Sequence, residues 1–188
     1  MSPPPGHEER FRLLFDGHLH DLKAYCGRRV APDDVDDAVA EVFAVAWRRL
    51  EKVPRGDEAR LWLYGVARNV VRNQTRSSRR RLRLDMRLIA NRDPAHPGPA
   101  ETVLTRSEHE DVVTALQTLK ETDQELLRLR AWEELSRHEI AQVLGISVAA
   151  VDMRLNRAMA RMSDALEAVT TGPRRDSIRR AEDRGGKP

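Results

Sequence analysis

The chain has 188 residues, of which 4% are aromatic and 34% charged, and its formal net charge is +3. So few large apolar side chains argue against one thick core and for two small helical units. Cys26 is the only cysteine, which excludes an internal disulfide, and no run approaches the roughly 20 apolar residues of a membrane span.

The N-terminus carries no signal-peptide core, so the expected location is the cytoplasm. The 33 basic residues include only four lysines, Lys23, Lys52, Lys120 and Lys187. Planar guanidinium forks suit phosphate and base edges, although a GC-rich coding bias gives the same excess.

Residues 1–8 hold three prolines and Gly6 and are predicted to form a leader without fixed structure. A helical pattern follows over about Glu8 to Arg29, with Phe11, Leu14, Phe15, Leu19, Leu22, Tyr25 and Cys26 on its apolar side. His18 and His20 project to different sides of such a helix, and no second cysteine joins them. No metal site is therefore expected, and Cys26 reads as a small core residue.

Ala31-Pro32-Asp33-Asp34 breaks the first helix and starts a second. Asp33 is a predicted N-cap, and Asp34, Asp36 and Asp37 suit the positive end of the helix. Val35, Ala38, Val39, Val42, Phe43, Ala46, Trp47 and Leu50 then mark about four turns of one buried face. After a turn at Pro54 to Asp57, a third helix runs from about Glu58 to Arg81. Leu61, Leu63, Val66, Ala67, Val70 and Val71 make its inner side. Arg68, Arg72 and Arg76 recur at helical spacing on the other side, continued by Arg79 and Arg80, with Asn69 and Asn73 alongside.

From Arg68 to Arg92 there are nine arginines and one acid, Asp85. A block of that charge repels itself unless a polyanion neutralises it. Trp62 and Tyr64 open the same helix, and aromatic rings beside a cationic track are how unpaired bases are held. The same two rings would equally serve as core.

Asn91 to Pro99 contains three prolines and a glycine and cannot continue a helix. The domain boundary is placed there. A helix from about Thr105 to Leu119 follows, apolar at Val112, Val113, Leu116 and Leu119. Thr122 and Glu125 form a predicted capping box for the next, which carries Leu126, Leu127, Leu129 and Trp132.

Ser136 and Glu139 have capping-box spacing, and Ile140, Ala141, Val143 and Leu144 supply an apolar face. Gly145 stands where that helix must stop, and Ser147 can cap the next. In the last helix Val151, Leu155, Ala158 and Met162 face inward, while Arg154, Arg157 and Arg161 lie along another side. A short helix, a glycine turn and a second helix with a cationic face form a helix-turn-helix suited to a major groove. An αα-hairpin with solvated arginines is the plain alternative. After about Ala168 periodicity is lost.

The expected fold class is all-α: two small helical domains joined by a Pro-rich linker, the second a four-helix unit with a helix-turn-helix. The expected divisions are residues 1–8 leader, 9–88 first domain, 89–104 linker, 105–168 second domain and 169–188 basic tail. No phosphate-binding loop, dinucleotide fingerprint, G-x-S-x-G or H-E-x-x-H is present, so neither a cofactor nor enzymatic chemistry is expected.

Two stretches carry a family resemblance. D-D-V-D-D-A-V-A-E-V-F-A-V-A-W (Asp33 to Trp47) and A-R-L-W-L-Y-G-V-A-R-N (Ala59 to Asn69) resemble the second conserved region of bacterial sigma factors. L-S-R-H-E-I-A-Q-V-L-G-I-S-V-A-A-V-D-M-R-L-N-R-A (Leu135 to Ala158) is similar to the fourth region. Both in this order, with a short Pro-rich linker in place of a third region, resemble the extracytoplasmic-function group.

The resemblance implies promoter-specific transcription initiation on behalf of core RNA polymerase. It implies that the helix matching Asp34 to Leu50 docks on the clamp helices of the largest polymerase subunit, through Asp34, Asp37, Glu41, Ala44, Val45 and Arg48. It implies that Lys52 to Arg76 captures the melted minus-ten strand, through Trp62, Tyr64, Arg68, Asn69, Arg72, Asn73 and Arg76. The last helix would read the minus-thirty-five duplex through Ser147, Ala149, Ala150, Met153, Arg154, Arg157 and Arg161, with its domain on the polymerase flap. An anti-sigma factor is a further candidate partner; no membrane is.

Ala40 stands where the family often has Gln, Ala150 where Thr is frequent, and Asp152 and Met153 where Lys and Ser are common. Asp152 would repel phosphate or accept from a cytosine amino group. The rival readings are a free-standing helix-turn-helix repressor or activator, and an adaptor protein, against which the Arg68 to Arg92 block argues.

Overall fold

The structure is a computed structural model that describes residues 6–88 and 103–171, with side chains over 6–76 and 110–171. The leader before Gly6, the Asn91 to Pro99 linker and the tail after Thr171 lie outside the described residues, as do the side chains of Arg79 and Arg80. Seven α-helices are present and no strand occurs among the described residues. They are α1 (His7–Gly27), α2 (Val35–Arg48), α3 (Glu58–Leu88), α4 (Val103–Thr118), α5 (Glu121–Ala131), α6 (Arg137–Leu144) and α7 (Val148–Thr171). The chain divides into two compact units, the first holding α1 to α3 and the second holding α4, α5, α7 and the start of α6.

In the first unit α1, α2 and α3 all pack on one another. Their core follows the apolar spacing. Leu14, Leu22, Tyr25 and Cys26 come from α1, Ala38, Val39, Val42, Phe43 and Ala46 from α2, and Leu61, Leu63, Ala67, Val70 and Val71 from α3. At one end Phe15 lies 4.6 Å from Phe43, and Phe11 meets Trp47 edge-on at 5.0 Å, a favoured geometry for aromatic pairs. Trp47 is the rim of this cluster rather than core, with 37% of its surface exposed.

At the other end the Tyr25 and Tyr64 rings stack at 5.1 Å, and the Arg29 guanidinium covers the Tyr25 ring at 3.6 Å. Two short 3₁₀ turns flank α2, Pro32–Asp34 before it and Leu50–Lys52 after it. Asp33 lies in the first turn and does not cap α2; the N-cap position is Asp34, which makes no side-chain cap bond. Leu50 and Val53 are buried and pin the connection to α3. The Arg10 guanidinium donates to the Val53 carbonyl, which fixes the backbone just before Pro54.

In the second unit α4 and α5 pack on α7. Ala115, Leu116, Leu119, Leu126, Leu129, Val151, Leu155 and Ala158 are buried. Helix α4 begins at Val103, two residues before its expected start at Thr105. Helix α5 begins at Glu121 with Lys120 at the N-cap, so Thr122 lies inside the first turn and does not cap it. Gln124 instead reaches back and donates to the Leu119 carbonyl at 2.9 Å, satisfying an orphan acceptor at the end of α4. Trp132 is the C-cap of α5 and is 37% exposed, not core.

Candidate nucleic-acid interface

Helices α6 and α7 make the helix-turn-helix, and local chemistry fixes each boundary. The Ser136 N–H donates to the Glu139 carboxylate at 2.8 Å, and the Glu139 N–H donates to Ser136 Oγ at 3.3 Å. This reciprocal box satisfies two donors at the start of α6. Helix α6 ends in a Schellman arrangement. The Ile146 N–H reaches the Ala141 carbonyl at 3.1 Å and the Gly145 N–H reaches Gln142 at 3.3 Å. Gly145 sits at φ +66°, a left-handed conformation that a Cβ would strain. Two residues on, Ser147 Oγ accepts from the Ala150 N–H at 3.2 Å and starts α7.

On α7, Val151, Leu155 and Ala158 are buried and Met162 is half-buried. The opposite side carries Ala149, Met153, Arg154 and Arg157, all exposed, with Met153 at 52%. Ser147 is exposed and Ala150 half-buried. Asn156 is also exposed beside Met153 and Arg157; its amide is suited to an adenine edge, and it lies outside the arginine spacing that marks this face in the sequence.

Arg161 is exposed as well, and it is also tied to another helix: its Nη1 lies 2.6 Å from Oδ2 of the buried Asp123 on α5. That guanidinium holds two helices together. A second ion pair, Arg137 Nε to Asp152 Oδ1 at 2.6 Å, joins the start of α6 to α7.

On α3 the structure separates two residues that the sequence grouped together. Trp62 is half-buried, whereas Tyr64 is 4% exposed and stacked on Tyr25. Tyr64 is core and has no ring face left for a base. Its spacing to Ala67 and Val71, i, i+3, i+7, was the signal that places it on the inner side. Arg68 is half-buried, while Asn69, Arg72, Asn73 and Arg76 are exposed along the outer side. From the N-cap residue Asp34 along α2, Asp34, Asp37, Glu41, Ala44 and Arg48 are exposed and Val45 half-buried; their spacing makes one outward stripe, acidic at its start and basic at its end.

The groups that looked superficially like metal ligands are dispersed. His18 is half-buried, and burial lowers its pKa, opposed by Asp21 and reinforced by Arg60; His20 is exposed. Burial pushes the Cys26 thiol up to about 11, against a smaller opposing pull from Arg29. No helix among the described residues is long and apolar enough to cross a membrane.

Residues 14–81 match the family model for Sigma-70 region 2, and residues 109–162 match that for Sigma-70, region 4. The RNA polymerase sigma factor CnrH of Cupriavidus metallidurans is 34% identical over 142 residues, covering 72% of this chain and 74% of that protein. The ECF RNA polymerase sigma-E factor of Escherichia coli K12 is 30% identical over 162 residues, covering 81% and 84%.

The chain is an ECF RNA polymerase sigma factor. It works with core RNA polymerase at promoter DNA and directs promoter-specific transcription initiation. Among solved structures, CnrH in complex with the cytosolic domain of CnrY has TM-score 0.59 to this sigma factor at 28% identity, covering 84% of this chain and 88% of that one. The sigma factor RpoE of Bartonella quintana, solved with the anti-sigma factor NepR, has TM-score 0.63 at 21% identity, covering 84% and 96%, and shares the fold.

Proposed function

We propose a division of labour among three helices of this sigma factor. The outward stripe of α2, from Asp34 to Arg48, docks on the clamp helices of the largest polymerase subunit, and the α4–α7 unit docks on the flap. The row of half-buried Arg68 and exposed Asn69, Arg72, Asn73 and Arg76 on α3 tracks the melted minus-ten strand, with Trp62 as the remaining aromatic platform. Helix α7 reads the minus-thirty-five duplex through Ser147, Ala149, Ala150, Met153, Arg154 and Arg157.

One observation carries the reading most. The capped helix pair α6–α7 presents exposed Arg154 and Arg157 on its second helix, the position that enters a major groove in this motif. The phosphate attraction of the arginines supplies affinity, and base-edge contacts supply choice. Unstacking a base costs on the order of a few kcal/mol, offset by pocket contacts. Two modest DNA contacts on one polymerase reinforce each other through effective concentration.

The chain itself catalyses nothing; nucleotide addition belongs to core polymerase, and the site of action is the cytoplasm. CnrH is described in complex with CnrY and RpoE with the anti-sigma factor NepR, which supports an anti-sigma partner here as well.

A gel shift with and without core polymerase tests the proposal. The sigma reading expects specific promoter binding only with core present. Tight, dimeric binding of duplex half-sites by the chain alone would contradict this division of labour.

A further inference from the structure

Asp152 is the one carboxylate on the first two turns of α7, which otherwise offer small residues, Met153 and Arg154. It is not solvated freely. Its Oδ1 lies 2.6 Å from Arg137 Nε, with 60% of the Arg137 side chain and 45% of the Asp152 side chain exposed. Oδ1 is screened from water, and no aligned hydrogen bond reaches it, so the contact is an ion pair. A pair between side chains this exposed is held weakly. Arg137 is the first residue of α6. In a helix-turn-helix the first helix crosses the DNA backbone, and its N-terminal end is the positive one.

We infer that Asp152 restrains Arg137 in the free protein and that Arg137 exchanges this carboxylate for a phosphate of the minus-thirty-five duplex. The inference rests on the assignment of α6–α7 to that duplex. Asp152 then acts through Arg137, as a positioning residue that weakens DNA binding, and it contacts no base. A phosphate outcompetes the carboxylate because it lies in the dense charge of a duplex, whose neutralisation also releases counterions. The carboxylate left behind faces the DNA and lowers affinity at every sequence alike. Asp152 therefore sets binding strength and leaves the promoter sequence unchanged.

The test uses holoenzyme reconstituted from the full chain and a duplex that wild-type holoenzyme selects from a random-sequence pool. Affinity is measured against salt concentration. Asp152→Asn should bind about two- to fivefold tighter, the release of one exposed pair, and should select the same sequence from the pool. Arg137→Ala and Arg137→Gln should bind more weakly, with the slope of log affinity against log salt shallower by about one phosphate contact. An unchanged slope in both Arg137 variants overturns the inference, because Arg137 then meets no phosphate. Weaker binding by Asp152→Asn, or a changed base in the selected sequence, also overturns it, because the carboxylate then reads that base. Core association of each variant is followed separately: its loss in the wild type would sink the sigma reading itself, whereas its retention leaves only the exchange under test.

Discussion

Arg161 Nη1 lies 2.6 Å from Asp123 Oδ2, a bond between α7 and α5 that spans 38 residues of chain. Asp123 is only 6% exposed, whereas half of the Arg161 side chain meets solvent. An arginine expected to face DNA is thus also tied to α5, about midway along α7. The recognition helix is braced there by charge as well as by Val151, Leu155 and Ala158.

Arg161→Ala should lower the stability of the second unit. Removing one partner of a buried pair costs about 3–5 kcal/mol, and the half-exposed guanidinium brings this down to roughly 1–3 kcal/mol here. Thermal unfolding should shift downward while the folded variant still selects the same upstream sequence. An unchanged melt with lost DNA binding would instead make Arg161 a DNA contact.

Arg154 and Arg157 are expected to behave differently. Their joint replacement with Ala should abolish upstream recognition, each good base contact contributing about 1–3 kcal/mol of discrimination. Binding to core polymerase should be retained, as measured by co-elution with core. Conversely, charge reversal at Glu41 or Arg48 should weaken co-elution without changing the melt, because both are exposed on α2.

Arg10 should matter to the connection between α2 and α3. Its hydrogen bond to the Val53 carbonyl has a charged donor, a class contributing about 1.5–3 kcal/mol. Arg10→Ala should destabilise the first unit by an amount toward the lower end of that range, since the bond is only part-buried. Circular-dichroism melts of Arg10→Ala and Arg10→Lys check this; equal melts for both variants and the wild type would show that the bond contributes nothing.

Cys26 predicts a pH effect with a definite sign. Its folded pKa, about 11, is raised above the ordinary value of 9.0, so the folded state favours the protonated thiol. The resulting stability is fully present below pH 9 and is lost as pH rises from there through about 11. The denaturation midpoint should fall over that window, and Cys26→Ala should flatten the fall. At pH 8 a thiol reagent should label the native protein slowly and the unfolded chain fast.

The helix-turn-helix was legible in the sequence because its signals are local. Ser136 with Glu139, then Gly145, then Ser147 each satisfy a backbone group within four residues. The apolar spacing of α2 and α3 was legible for the same reason.

Tyr64 was ambiguous because aromatic rings serve cores and bases alike, and only its phase relative to Ala67 and Val71 separates the two. The start of α5 was misplaced because Thr122 and Glu125 have capping-box spacing, whereas the helix begins at Glu121 and Gln124 reaches back to the Leu119 carbonyl instead. The pairs Arg161–Asp123 and Arg137–Asp152 join residues far apart in the chain, and no local pattern announces them.

The most direct test of the central claim is a footprint of the complex formed by core polymerase, this sigma factor and a selected promoter. The expected result is protection of duplex near minus thirty-five together with unpaired, permanganate-reactive thymines near minus ten. The upstream protection should vanish in the Arg154→Ala, Arg157→Ala variant. Protection of a single duplex site with no unpaired bases would contradict it.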